Sequence, residues 1–166
     1  MKNNTIEIPQ GYYIDEEKST VTNIIFKPIE KKWVDLGLPS GTLWCNTNEE
    51  GYYSLDEMFE SFDENSLPKL TDFAELYDYC DWQWDNEKKG MWVIGPNTNG
   101  IFLPASGYRH YYNGSLNNVG YNGYYWSNSP CNYSAYNLYF NSSDYVYPSN
   151  NYNRANGQSV RLIKRK

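Results

Sequence analysis

His110 is the one histidine in this chain of 166 residues, and it is followed by Tyr111 and Tyr112. No Asp or Glu lies near it in the sequence, so a nucleophile–base–acid triad has no acid to orient the base. Cys45, Cys80 and Cys131 are far apart and odd in number. They form neither a CxxC pair nor a zinc spacing, and Cys45 and Cys80 read as buried, reduced thiols. The carboxylates Asp56, Glu57 and Glu60 fall on what reads as a solvated helix face. Glycine pairs at phosphate-loop-like spacing lack the strand–loop–helix setting that would make them one. The residues therefore point away from catalysis: no catalytic residue, no metal and no cofactor is expected.

The chemistry the chain does carry is recognition. From Tyr108 to Arg161 there is no Lys and no Glu, and one Asp, Asp144. The text there is Asn and Tyr, punctuated by Ser and Gly. Tyrosine brings a large rigid contact area with few torsions to freeze, and one hydroxyl. Asn and Ser bring adaptable hydrogen bonds, the palette of antibody paratopes. A core seldom needs so many phenol groups satisfied, so most of the later tyrosines are expected at the surface. Clustered exposed aromatics cost solubility and are best explained by a partner.

Composition sets the frame. The length fits one domain with one core. Hydrophobic content is only 40% while aromatic content is 18%, so burial must rest on Trp, Tyr and Phe. A net charge of −6 argues against nucleic acid as partner. The acidic residues sit almost wholly before Gly107, which leaves a near-neutral second half. No apolar run reaches the ~18 residues of a membrane span. The start, MKNNTIEIPQGYYIDEEK, has no apolar core of a signal peptide, so synthesis in the cytoplasm without one is expected.

The elements that must hold the array follow in order. Residues 1–31 read as an N-terminal β-hairpin extension, with strands at Thr5–Ile8 and Val21–Ile29 around a charged turn at Asp15–Lys18. It could seat the chain on a particle or on copies of itself. Residues 32–166 read as the main domain. Val34, Leu36 and Leu38 alternate before the Pro39-Ser40-Gly41 turn, and Leu43 and Trp44 follow it. Ser54 caps a helix over Leu55–Phe62, with Leu55, Met58, Phe59 and Phe62 inward. A second helix starts at Thr71 or Asp72 and buries Phe73, Leu76, Tyr77 and Cys80. Trp82-Gln83-Trp84 leads into a charged turn. Met91–Ile94 then pairs back on Ile101–Leu103. Gly123–Ser127 and Tyr136–Asn141 are strands. In the second, Tyr136, Leu138 and Phe140 face in, and Asn137, Tyr139 and Asn141 face out. Gln158–Lys164 closes the fold with Val160 and Leu162 inward. Tyr108–Gly123, Ser127–Ala135 and Ser142–Gly157 are left as long loops, a length that usually carries function.

Five motifs occur in a telling order: VDLGLPSGTLW, LPKLTDFAELYDYC, GPNTNGIFLPASGYR, GYYWSNSP and NRANGQSVRLI. In this the chain resembles the Fibrobacter-succinogenes-type paralogous domain of gut Bacteroidetes and their phages, over about Trp33 to Ile163. The resemblance implies an α+β, C-type-lectin-like fold: two helices with small antiparallel sheets. No EPN, QPD or WND calcium motif is present, so calcium-dependent sugar binding is not expected. The formylglycine-generating enzymes share that superfold but rely on a cysteine pair that is missing here.

Within that family the chain is similar to the variable proteins of diversity-generating retroelements. Those elements scatter template Asn codons mostly to Asn, Tyr, Ser, Asp, His, Cys and Gly. The positions that fit are His110, Tyr111, Tyr112, Tyr121, Tyr124, Asn128, Cys131, Asn132, Tyr133, Ser134, Tyr139, Asp144, Tyr145, Tyr147, Asn150, Asn151 and Tyr152. The resemblance makes these the ligand-binding residues. It implies a hypervariable receptor-binding or adhesion module, displayed on a phage particle or, alternatively, on a bacterial cell surface. The implied partner is a protein or glycan on a cell surface, with no membrane insertion. The second reading is a non-variable structural or adhesion domain of a bacterial surface protein.

Overall fold

The computed structural model describes residues 12–15, 19–20, 23–28, 30–132 and 134–166. The chain divides into two compact units, Met1–Lys31 and Lys32–Lys166. In the first, β1 (Tyr12–Ile14) pairs antiparallel with β2 (Phe26–Pro28), Tyr13 opposite Lys27. Asp15 is buried and forms an ion pair with Lys27 at 2.8 Å. The strand expected at Thr5–Ile8 lies outside the described residues. The pairing seen here instead uses Tyr12–Ile14 and only the end of Val21–Ile29.

The second unit opens with β3 (Trp33–Asp35) and β4 (Leu43–Cys45), joined by the Pro39-Ser40-Gly41 turn, in which the Gly41 N–H donates to Leu38 O at 2.9 Å. α1 (Leu55–Ser61) follows. The Ser54 hydroxyl accepts from the Glu57 N–H, and the Glu57 carboxylate accepts from the Ser54 N–H. This reciprocal cap satisfies two donors that a helix start otherwise leaves bare. Leu55 and Met58 are fully buried. α2 (Leu70–Tyr79) starts earlier than its sequence suggests. Asp72 lies in the first turn, where it accepts from the Lys69 N–H at 2.6 Å and from the Arg165 guanidinium at 2.8 and 3.0 Å. Phe73, Leu76 and Cys80 point inward as expected, but Tyr77 is exposed.

A three-stranded meander comes next: β5 (Asp81–Asp85), β6 (Gly90–Ile94) and β7 (Gly100–Pro104). Met91 pairs with Leu103 and Val93 with Ile101, the register the turn signals require. Trp82-Gln83-Trp84 is not a connection; it is the core of β5. β8 (Tyr108–Arg109) and β9 (Leu116–Asn117) make a small ribbon. Then come three long strands, β10 (Asn122–Cys131), β11 (Ser134–Asn141) and β12 (Val146–Asn153). β13 (Ile163–Lys164) returns to pair with β4, Ile163 opposite Trp44.

This corrects the expected fold class. Among the described residues the protein is mostly β, with 43% strand in five small sheets and only 14% helix. The α+β, C-type-lectin-like expectation gives way because residues set aside as loops are strand. The end of β10 and all of β12 run through Ser127–Ala135 and Ser142–Gly157. Asn, Ser and Gly have low strand propensity, so pattern reading skips them. Backbone pairing with β11 holds them extended nonetheless, Asn151 opposite Tyr136 and Asn150 opposite Asn137.

The core sits on both sides of β10. Tyr125 joins Leu36, Trp44, Phe73, Met91, Val93, Leu138 and Phe140. Its neighbour Trp126 joins Leu55, Met58, Leu67, Ala135 and Val160. Successive strand residues point to opposite faces, so one strand feeds two clusters. This corrects the reading of β11. Leu138 and Phe140 are buried, but so is Asn137, while Tyr136 is only half-buried. Asn137 lies across from Trp126 on the second buried face. Its amide is satisfied, donating to Gln158 Oε1 at 2.8 Å and accepting from Asn150 Nδ2 at 3.0 Å. Among the described residues no helix is long and apolar enough to cross a membrane.

Candidate functional site

The array is built on β8 and the β10–β11–β12 sheet. Tyr124 in β10 lies across from Tyr139 in β11, with ring centroids 5.2 Å apart. Tyr139 lies across from Tyr147 in β12. Tyr108 in β8 meets Tyr124 and Tyr152 edge-on, both at 5.2 Å. Tyr145 bridges Tyr139 and Tyr147 at 6.3 Å each. The result is a continuous belt of tyrosines. Offset and edge-on ring pairs of this kind add about 0.5–1.5 kcal/mol each beyond area burial.

A cleft of about 640 Å³ opens beside the belt. Tyr108, His110 and Tyr152 line one part of it, Cys131, Asn132 and Ser134 another, and Asn151, Asn153 and Asn156 the rest. The loop after β8 is tied down at its root: Arg109 and Gly157 exchange backbone hydrogen bonds at 2.7 and 2.8 Å. Asn156 Oδ1 accepts from the Tyr111 N–H at 3.0 Å. The His110 ring stacks on Tyr111 with centroids 5.0 Å apart, and its Nδ1 accepts from the Tyr112 N–H at 3.2 Å.

No Asp, Glu, Lys or Arg lines the cleft. The nearby Arg109 is committed to Glu57 at 2.7 Å, and Arg154 to Asp56. The Ser54 N–H, and then Arg109, hold the Glu57 carboxyl below its ordinary range. Burial pushes the Tyr124 phenol up. Burial, and then the hydrogen bond with Tyr108, push the Tyr152 phenol up further. These phenols are therefore neutral hydrogen-bonding groups at physiological pH. Among the described residues no group of three or more His, Cys, Asp and Glu could hold a metal ion.

The expected site residues separate into four sets. His110, Cys131, Asn132, Ser134, Asn151 and Tyr152 converge on the cleft. Tyr111, Tyr112, Tyr121, Tyr145 and Tyr147 are exposed large aromatics, Tyr112 the most so at 85%, and Tyr139 is half-buried in the belt. Tyr124, Asn128 and Asn150 are supports. Tyr124 is 5% exposed, its hydroxyl accepting from Asn118 and Asn122 at 3.2 and 3.1 Å. Asn128 is 8% exposed, donating to Glu64 O at 3.3 Å, and Asn150 holds Asn137. Tyr124 and Asn128 were expected as surface contacts but are buried, while Asn150 is half-buried. Tyr133 lies outside the described residues.

Asn132 and Asp144 are turn residues, with φ of +40° and +59°. Only Gly, Asn and Asp take that conformation cheaply. Asp144→Gly is expected to leave stability unchanged or raise it, while Asp144→Val should cost about 1–2 kcal/mol by urea denaturation. Equal midpoints for the two variants would show that the turn carries no such restriction.

Sequence reasoning missed Tyr108, Asn153 and Asn156, which line the cleft. They sit inside GPNTNGIFLPASGYR and NRANGQSVRLI, motifs taken as frame. Their residue types matched the array, and that was the available signal.

One family model matches residues 80–163, just over half of the chain. Its description is a domain of unknown function, DUF8237. The chain belongs to the DUF8237 family. No curated protein and no solved structure matches it. The DUF8237 segment begins at the end of α2 and contains every strand from β5 to β12. It thus holds the whole tyrosine belt and the whole cleft, but neither α1 nor β4.

Proposed function

We propose that this DUF8237 chain is a ligand-recognition module: a fixed frame that presents a Tyr/Asn face to a protein or glycan on a cell surface. In this reading it is the variable protein of a diversity-generating retroelement, displayed on a phage particle or, alternatively, on a bacterial cell surface, and it carries no catalytic role. The observation that carries the proposal is the placement of Tyr111, Tyr112, Tyr145 and Tyr147. All four are 45–85% exposed on strands and loops pinned to the core. A rigid scaffold lowers the ordering cost of about 0.5–1.5 kcal/mol per immobilised side chain. The code-level argument supports retroelement origin, since the cleft positions and Tyr111, Tyr112, Tyr145 and Tyr147 all belong to the small set that Asn codons scatter to.

A second reading, a non-variable adhesion or structural domain, draws support from a specific observation. Tyr124, Asn128 and Asn150 make side-chain hydrogen bonds within the frame that a freely changing residue would lose. Sibling genes differing at the exposed positions beside a reverse transcriptase would decide for the first reading. Identical residues throughout would decide for the second.

The binding claim is tested with Tyr111→Ser, Tyr112→Ser, Tyr145→Ser and Tyr147→Ser combined in one variant. Fluorescently labelled wild-type protein is expected to decorate fixed Bacteroidetes cells and the variant is not, with Tm moved by only a few degrees. Undiminished decoration, or a collapse of Tm, would reject the assignment.

A further inference from the structure

The cleft has a chemistry more specific than the belt around it. Four asparagines line it, and among the described residues their side-chain NH2 groups make no hydrogen bond. Asn132 and Asn151 spend neither amide atom. Asn153 Oδ1 accepts from the Ala155 N–H at 2.9 Å and Asn156 Oδ1 from the Tyr111 N–H at 3.0 Å, which leaves each NH2 unused. The acceptor assignment at the last two is forced, because a backbone N–H needs an oxygen opposite it. The cleft thus offers a concentration of amide donors, beside Tyr108, Tyr152 and the Ser134 hydroxyl, which itself donates to Cys131 O at 3.2 Å.

Charge narrows the occupant. An anionic ligand would find no free cation among the lining groups, and a cationic one no carboxylate. An apolar ligand would strip water from the amides without replacing their hydrogen bonds, a desolvation cost with nothing to offset it. The ligand is therefore neutral, rich in oxygen acceptors and hydroxyls, and has one less polar face to lie on a ring. The negative π-face of a tyrosine attracts polarised C–H groups. A pyranose has both features: hydroxyls around its rim and C–H bonds on its faces. A peptide fits less well. Peptides laid along sheets are held by a ladder of backbone groups. Here Ser134, Ala135 and Tyr136 are already paired with Asn153, Tyr152 and Asn151, so a strand could be added only along the outer edge of β12, and the residues lining the cleft are rich in side-chain amides. The volume of about 640 Å³ lies within the ~300–1,000 Å³ of small-molecule sites.

We infer that the cleft between β8 and the β11–β12 end of the sheet is a subsite for a neutral saccharide, held directly by asparagine amides and tyrosine rings without a bridging metal ion. This rests on the recognition reading and names the chemistry of its target.

The test uses the whole chain and a panel of neutral sugars: glucose, galactose, mannose, fucose, N-acetylglucosamine and their neutral di- and trisaccharides. Sialyllactose and short neutral peptides serve as the charged and peptide arms. Binding is read by saturation-transfer NMR and titration calorimetry, with and without EDTA. At least one neutral sugar is expected to bind saturably and equally well in EDTA. Asn151→Ala, at an exposed position, is expected to weaken it about fivefold at unchanged Tm. Tyr79→Ser, on the exposed face of α2, is expected to leave it unchanged. The inference is overturned if no neutral sugar binds, if only sialyllactose or peptides bind, if EDTA abolishes binding, or if Asn151→Ala has no effect. If no sugar binds while cells are still decorated in a tyrosine-dependent manner, the saccharide assignment falls alone and recognition stands.

Discussion

Arg161→Ala is expected to remove about 3–5 kcal/mol of stability, the penalty for breaking a buried charged hydrogen-bond set. Arg161 is 1% exposed. Its Nε donates to Asn48 Oδ1 at 2.8 Å, its Nη1 to Cys45 O at 2.8 Å and its Nη2 to Phe102 O at 2.6 Å. One planar fork therefore ties β4, the segment after it and β7 to the C-terminal strand region. Beside it, Asn48 also donates to the Tyr125 hydroxyl, which donates to Pro104 O at 2.7 Å. Burial lowers the Arg161 guanidinium from its usual value and pushes the Tyr125 phenol up to about 12. Alanine would strand two backbone carbonyls and open a cavity. Domains are stable by only ~5–15 kcal/mol, so the variant would be near its unfolding limit. In urea the midpoint should fall by about 2 M. Arg161→Lys should recover little, since a point ammonium cannot reproduce the fork. A shift below ~0.5 M for the alanine variant would mean the network is dispensable.

The second large effect is at Gly107, immediately before Tyr108. Its φ is +64°, and a Cβ there would lie 2.0 Å from Asn117 O and 2.8 Å from Val119 N. Both obstacles are backbone, so no side chain can swing aside. Gly107→Ala combines left-handed strain with forced separation of β8 from the chain at β9, at about 2–4 kcal/mol. The functional loss should exceed the loss of stability. Tyr108 packs edge-on against both Tyr124 and Tyr152, whose rings also lie 5.4 Å from each other, and it lines the cleft. Decoration of cells should vanish even where the variant is still folded, as read by circular dichroism at low temperature. A fully active Gly107→Ala protein would show that Tyr108 does not organise the site.

Several elements were legible because local chemistry and global packing agree. Ser54 and Glu57 form the reciprocal cap that the S-x-x-E spacing announces, and Leu55 and Met58 are the buried pair behind it. The β6–β7 hairpin follows from a Gly-Pro-Asn-Thr-Asn-Gly turn between two apolar runs. What could not be read was the consequence of burying both faces of one sheet. Asn137 looks like an outward residue until Trp126 and Gln158 are known to lie around it. Tyr124 looks like a contact residue, yet three other tyrosine rings pack around it. α2 starts earlier than expected because Asp72 does not cap the helix but sits inside its first turn, reaching back to the Lys69 N–H, and Arg165, 93 residues away, also holds its carboxylate. The convergence of His110, Cys131, Asn132, Ser134, Asn151 and Tyr152 on one cleft follows residue types that can be read regardless of which strands carry them, whereas the fold class depends on pairings that local sequence does not show.

The matched stretch, residues 80–163, is narrower than the cooperative body that contains it. Its final residue, Ile163, pairs with Trp44, and its Trp126 is roofed by Leu55, Met58 and Leu67. All four of those partners precede the stretch. Excised by itself it would lay a tryptophan, a valine and the inner side of its longest strand open to water. The family's boundaries mark where relatives look alike, and the physical domain begins some fifty residues upstream, at about Lys32.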